Sequence, residues 1–213
     1  MRPRVVVLDY GSGNLRSAER ALQRAGADAS VTSDADAALN CDGLVVPGVG
    51  AFAACMAGLR AVRGELIIGK RLAGSRPVLG ICVGMQVLFA EGAEHGERTA
   101  GCGALPGVVE RLTAPVLPHM GWNTLRPPAG TRLLAGIDPG TRFYFVHSYA
   151  ALSLSPRDDG AAGQPEPLLT FATHGQDFIA AVEEGPLCAT QFHPEKSADA
   201  GAELLANWLE TVR

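Results

Sequence analysis

Gly80-Ile81-Cys82-Val83-Gly84-Met85-Gln86 sets a thiol between two glycines, at the point where a short apolar run gives way to a helix-like pattern. Upstream, Pro77-Val78-Leu79-Gly80-Ile81 is branched and apolar, as a buried parallel strand is. Val83 to Glu91 has the length and composition of a helix. A Gly-x-nucleophile-x-Gly junction of this kind is a nucleophile elbow: the turn is so sharp that its neighbours must be small, and the reactive atom is pushed out at the carboxyl edge of the sheet. Here the nucleophile is the sulfur of Cys82. A helix N-terminus beside it favours the thiolate, and the amide of Val83 points at a developing oxyanion. Free cysteine is also among the most buried residue types, so the heptapeptide alone describes a structural thiol equally well.

Working outward, the flanking sequence supplies a matching framework. Val5 to Leu8 is a first strand that enters Asp9-Tyr10-Gly11-Ser12-Gly13-Asn14, and Leu15, Ala18, Leu22 and Ala25 then recur at helical spacing. Gly11 and Gly13 lack the third glycine and the downstream acidic residue of a dinucleotide fingerprint, which argues against nucleotide binding. Ala29 to Thr32 is a second strand, Asp34 or Asp36 caps a brief helix, and Gly43 to Pro47 is a third strand ending in Pro47-Gly48-Val49-Gly50. An elbow needs a second oxyanion donor from a neighbouring loop, and the amides of Val49 or Gly50 suit that role. Helical segments from Phe52 to Leu72, broken at Gly64, lead to the elbow strand. This alternation implies a mostly parallel sheet flanked by helices, with ligands at the carboxyl ends of its strands. After Glu91 the chain is β-rich: Gly92 to Gly107 is Gly-rich, and strand-like runs follow at Val108 to Leu112, Trp122 to Leu125, Arg142 to Tyr149, Leu168 to Thr173, Phe178 to Val182 and Leu187 to Gln191. Ser155 to Pro167 reads as a solvated loop. A final helix carries an apolar face of Leu205, Trp208, Leu209 and Val212. The expectation is an α/β fold in a single domain spanning residues 1–213.

Composition narrows the function classes. Hydrophobic residues make up 47% of the 213 and charged residues 19%, the profile of a compact folded protein. A net charge of −4 without a Lys/Arg cluster excludes a nucleic-acid stripe and a polybasic membrane patch. The five cysteines form no C-x-x-C pair, which argues against a disulfide framework or a zinc site and favours a reducing compartment. Val5 to Leu8 is too short for a signal-peptide core, and no run approaches a membrane span, so the expectation is cytoplasmic residence without metal or cofactor.

Gln191-Phe192-His193-Pro194-Glu195 is the second informative stretch. In extended backbone, residues i and i+2 share a side, and Pro194 biases His193 toward that conformation. An imidazole oriented by a carboxylate is what a cysteine nucleophile needs as its base. His193 and Glu195 could equally be polar residues at a surface strand end, and His95, His119, His147 and His174 compete for the role. Taken with the elbow, a Cys82, His193, Glu195 triad is the more economical reading.

These two stretches together resemble class I glutamine amidotransferases, whose signature pairs a Gly-x-Cys-x-Gly elbow with a downstream His-Pro-Glu. Within that family the chain is similar to the histidine-biosynthesis members, through Asp9 to Asn14, Pro47 to Phe52, Pro118-His119-Met120-Gly121-Trp122-Asn123 and Tyr144-Phe145-Val146-His147-Ser148-Tyr149. It departs from them at Val83, where Leu is more usual, and near His174, where an aromatic residue is common. The resemblance implies glutamine hydrolysis to glutamate and ammonia, with Cys82 as nucleophile, His193 as general base and acid, and Glu195 orienting the imidazole. It further implies an oxyanion hole at Val49, Gly50 and Val83, and glutamine held by Gly50, Gln86, His147, Ser148 and Tyr149. Ammonia then passes to a partner (β/α)8 cyclase docked against Asn14, Trp122 and Tyr144. Read without the resemblance, Trp122 is a core aromatic. In the family the glutaminase is nearly silent until the partner binds its own ligand, and a Val49 peptide that points away at rest would explain that. The glutaminases of guanylate, anthranilate and aminodeoxychorismate synthesis share only the triad with this chain, and an intact triad argues against a non-catalytic scaffold.

Overall fold

The computed structural model describes residues 1–156 and 166–212. Four parallel strands carry the first half: β1 (Arg4–Leu8), β2 (Asp28–Thr32), β3 (Gly43–Gly48) and β4 (Val78–Cys82). They are joined by α1 (Leu15–Arg24), by α2 (Ala35–Asn40) and by the pair α3 (Phe52–Ala61) and α4 (Gly64–Ala73). Asp34 caps α2, its carboxylate accepting the Ala37 N–H at 2.6 Å. Every residue of β3 and β4 is buried, as befits central strands covered on both faces.

The second half is β-rich, as expected, but its strands divide among three sheets. After the single turn α5 (Val83–Gln86) come β5 (Phe89–Glu94), β6 (Glu97–Ala100) and β7 (Leu105–Arg111). An antiparallel ribbon follows, β8 (His119–Thr124) with β9 (Arg142–His147), and then the short β10 (Tyr149–Ala151). β11 (Leu168–His174), β12 (Gln176–Glu184) and β13 (Leu187–Thr190) precede a 3-10 turn at Pro194–Lys196 and the closing helix α6 (Ala198–Glu210). The main sheet runs β11-β12-β13-β4-β3-β1-β2, with β13 parallel to β4 and the β11-β12 hairpin antiparallel at the edge. A second sheet has the order β10-β7-β5-β6. Leu205, Trp208 and Leu209 are buried on α6, on the face their spacing gives them.

Two sequence expectations need correction. The helix read from Val83 to Glu91 ends at Gln86; Val87, Leu88 and Phe89 are wholly buried, and Phe89 opens β5 in what was read as helix. A short apolar run fits a buried helix or a buried strand alike, and here pairing with β7 and β6 decides it. The run from Arg142 to Tyr149 is not one strand. It breaks at Ser148, so β9 pairs with β8 while β10 pairs with β7. That break places His147, Ser148 and Tyr149 at the junction of two sheets. Of the loop read at Ser155 to Pro167, residues 157–165 lie outside the described residues.

Candidate active site

β4 delivers Cys82 to the carboxyl edge of the main sheet, in register with Gly48 of β3, so the Pro47 to Gly50 turn lies beside the thiol. Cys82 has φ +57° and ψ −117°, a conformation that costs a non-glycine residue about 1–3 kcal/mol and that is tolerated at functional sites. The packing explains the second glycine of the motif. A Cβ on Gly84 would collide with the Val46 carbonyl of the adjacent strand, so only glycine lets the chain turn this close to β3.

His193 leaves β13's end in extended backbone, at φ −103° and ψ 96°, but Glu195 sits in the 3-10 turn that follows. The two side chains therefore meet across a turn, rather than along one face of a strand as the sequence suggested. Their contact is close: His193 Nδ1 lies 2.8 Å from Glu195 Oε1, with both side chains buried. A carboxylate accepts only, so the Nδ1 proton points to Glu195. Nε2 has no hydrogen-bond partner. Burial by itself lowers the pKa of His193, but the hydrogen bond to Glu195 and the negative charge available at Glu195 and at the nearby Cys82 sulfur outweigh it and push the pKa up to about 9. The backbone is pinned as well. His193 N donates to Tyr144 O at 2.9 Å, and the Ser197 hydroxyl accepts from Tyr144 N and donates to His193 O. No sequence motif pointed to Ser197.

One cavity of about 600 Å³ brings most of the expected residues together: Cys82, His193, Val83, Val49, Gly50, Gln86, His147, Ser148 and Tyr149 all line it. Glu195 does not line it and sits behind His193. Gln86 Nε2 donates to Tyr149 O at 2.9 Å and to Gln191 Oε1 at 3.0 Å. Gln191 Nε2 lies 3.9 Å from the Cys82 sulfur. Glu94 and Arg111 also reach the cavity. Arg111 was not anticipated, because only the pairing of Tyr149 with Arg111 across β10 and β7 brings it there. The Val49 amide is turned toward Ser12: its N–H donates to Ser12 Oγ at 3.0 Å, and its carbonyl accepts from the same hydroxyl at 2.7 Å. Gly50 follows at φ +89°, where glycine is unstrained. Asn14, Trp122 and Tyr144 do not line the cavity. Trp122 is 52% exposed, which corrects the reading of a core aromatic, and it meets the Tyr144 ring edge-on at 5.8 Å.

Two further histidines in this region stay neutral. Burial, then the charge of His174, lowers the pKa of His119 to about 4; burial, with smaller contributions from His119, His174 and His193, lowers that of His147 to about 3. The unfolded chain binds protons at such rings near pH 6.5, so on acidification the unfolded state gains them first. Stability should fall from about pH 6.5 downward, and the loss should be complete only below both folded values. Melting temperatures between pH 7 and 4.5 should drop more steeply in the wild type than in His119→Asn; parallel slopes would remove His119 as a cause.

This arrangement, an elbow thiol beside a carboxylate-oriented imidazole at the edge of a parallel sheet, has a family. The profile of "Glutamine amidotransferase class-I" matches residues 6–212, and the chain belongs to that family. It is similar over its length to two proteins described as "Imidazole glycerol phosphate synthase subunit HisH". One, from Nocardia farcinica, is 70% identical with 99% of each chain covered; the other, from Thermobifida fusca, is 65% identical with 100% of each covered. These relatives agree with the narrower resemblance drawn from Asp9 to Asn14 and from Pro118 to Asn123. The fold is shared with a solved glutamine amidotransferase, at TM-score 0.73, 23% identity and 98% coverage of both chains. It is shared too with PurLQS from Thermotoga maritima, at TM-score 0.72, 20% identity and full coverage of both.

Proposed function

We propose that this chain is the glutaminase subunit of imidazole glycerol phosphate synthase. It hydrolyses glutamine to glutamate and ammonia, and passes the ammonia to a (β/α)8 cyclase that makes imidazole glycerol phosphate and aminoimidazole carboxamide ribotide in histidine biosynthesis. Residues 1–213 act as one amidotransferase domain, and cytoplasmic residence fits a chain among whose described residues no helix is long and apolar enough to cross a membrane. The observation that carries the chemistry is that Cys82 on its strained elbow and His193, paired with Glu195 at 2.8 Å, open on the same cavity.

The geometry supports the following sequence. Cys82 Sγ attacks the side-chain amide carbon of glutamine, and the carbonyl oxygen becomes an oxyanion beside the Val83 amide, which the Val49 amide joins once it has turned away from Ser12. His193 Nε2, whose pKa is raised by its place between Cys82 and Glu195, takes the proton that leaves the thiol during the attack and then delivers it to the departing nitrogen as the C–N bond breaks and ammonia leaves. Water then attacks the glutamyl thioester while Nε2 takes its proton, and glutamate leaves with the thiol restored. Glu195 holds Nδ1–H throughout, so Nε2 is always the atom that exchanges protons. The partner face lies around Asn14, Trp122 and Tyr144, with Lys196 5.9 Å over the Tyr144 ring and Met120 and Trp122 projecting from the outer face of β8. Glutamate release by the wild-type chain with the cognate cyclase and its ligand tests the assignment, and a stimulated complex that releases none overturns it.

The Ser12 hydroxyl gives the proposed resting state a latch. With its N–H committed to Ser12, the Val49 amide does not serve an oxyanion in this conformation. Ser12→Ala removes both hydrogen bonds to Val49 and should raise unstimulated glutaminase activity by about tenfold or more, each bond being worth roughly 1 kcal/mol net, and leave stimulated turnover within about twofold. Glutamate release without the cyclase ligand reads this directly, and an unchanged resting rate would sink the latch.

A further inference from the structure

His119 and His147 face each other across β8 and β9, buried, and neither belongs to the triad. Their hydrogens can be placed without choice. His147 Nδ1 is 3.0 Å from Tyr149 O; a carbonyl only accepts, so Nδ1 carries the proton. The ring is neutral, so its Nε2 is bare, and the 3.0 Å contact with His119 Nδ1 requires the proton to sit on His119. His119 Nε2 is then bare in turn and meets Asn123 Nδ2 at 3.3 Å. The Asn123 amide is itself fixed, since Nδ2 donates to Thr173 O at 2.9 Å and Oδ1 accepts from Thr124 N at 2.9 Å. Stacking holds the His119 plane between Phe145, at 4.8 Å, and His174, at 4.2 Å; His174 Nε2 is spent on Val116 O at 2.7 Å. Every donor in this chain therefore points the same way, from Asn123 to the Tyr149 carbonyl.

We propose that His119 and His147 are positioning residues for glutamine, forming a directional hydrogen-bond relay that fixes the Tyr149 carbonyl and, through it, Gln86. The Tyr149 oxygen takes the His147 proton with one lone pair and Gln86 Nε2 with the other. Gln86 thus spends its N–H groups on Tyr149 and Gln191 and keeps its carbonyl oxygen for the cavity it lines, as an acceptor for the ammonium end of a glutamine. Without the relay, the Tyr149 peptide at the β9 to β10 break has one anchor fewer and the Gln86 amide is free to turn over. The effect falls on substrate binding, because the relay ends on the Tyr149 carbonyl and the Gln86 amide rather than on the triad. This inference rests on the glutaminase reading above and adds to it the residues that set the pocket's shape.

The test uses the complex with the cognate cyclase and its ligand. Asn at position 147 keeps a donor where Nδ1 stands, and Gln keeps an acceptor where Nε2 stands but loses that donor. His147→Gln should therefore show a KM for glutamine about tenfold above that of His147→Asn, with kcat values within about twofold of each other. Position 119 repeats the comparison independently. His119→Asn preserves the donor to His147 and should recover most of the KM that His119→Leu loses. The ¹⁵N shifts of both rings in the wild-type chain should show protonated Nδ1 and bare Nε2. A ring protonated on Nε2, or equal KM values within both pairs whatever their melting temperatures, overturns the relay while leaving the glutaminase assignment intact. A wild-type complex that hydrolyses no glutamine overturns the assignment, and the relay's role with it.

Discussion

Replacing Cys82 with alanine should lower glutamate release by the stimulated complex about 10⁴-fold, the scale on which loss of a covalent nucleophile is felt when binding and oxyanion contacts remain. The variant should fold: alanine keeps the Cβ that the backbone at Cys82 already tolerates at positive φ and removes only one sulfur atom that faces the cavity. Its effect is separable from any damage to the partner. Supplied with an ammonium salt in place of glutamine, the Cys82→Ala complex should make cyclase product at the wild-type rate, because the chain's proposed part ends once ammonia is formed. Loss of both the glutamine-dependent and the ammonia-dependent reactions would show that the substitution disrupts the assembly, and would remove the case for Cys82 as nucleophile.

The second large effect lies in packing. Gly84→Ala should destabilise the chain by about 3 kcal/mol or more, because the new methyl meets the Val46 backbone carbonyl, which cannot rotate away as a side chain could. For a chain of this length that is a fall of roughly 6–12 °C in melting temperature, with glutaminase activity lost alongside as the elbow is displaced. Gly69→Ala is the matched control: nothing stands within 4 Å of its added methyl, and it lies within α4, where alanine is the better helix former. Equal melting temperatures for the two variants would mean that the turn relaxes freely and that the glycine is not required by its neighbours.

The parts of the site legible in the sequence are those whose physical requirement is local. Gly80 and Gly84 flank Cys82 because the turn is tight, and His193 and Glu195 are separated by a single proline, so both stretches announced themselves. The parallel first half was legible for the same reason: each strand-helix pair carries its own pattern, and Asp34 caps its helix from one residue away. What escaped depends on residues far apart in the chain. Phe89 could not declare itself a strand residue before β7 was placed beside it. Nothing within Arg142 to Tyr149 marks Ser148 as a break, since the cause is that two different sheets compete for the two halves. Ser12, Ser197 and Arg111 are ordinary polar residues in sequence and gain their meaning from the backbone they reach. Pro194 did fix the direction of His193, but the 3-10 turn that brings Glu195 to it lies beyond what alternation could predict.

The register of the main sheet has a consequence for how the protein is born. β13 lies between β4 and β12, parallel to β4, and His193 follows it by three residues, so the thiol at the end of one strand and its base just past the end of the neighbouring strand meet although most of the second half separates them in sequence. Contacts of such long sequence separation form late, because the loop must close before they can reward it. A chain still emerging from the ribosome can complete β1 to β4 and shape the elbow, yet it carries a cysteine with no imidazole beside it. Chemical competence therefore requires β13 in place beside β4, and a chain clipped before β13 keeps the thiol but has lost the imidazole that would serve it.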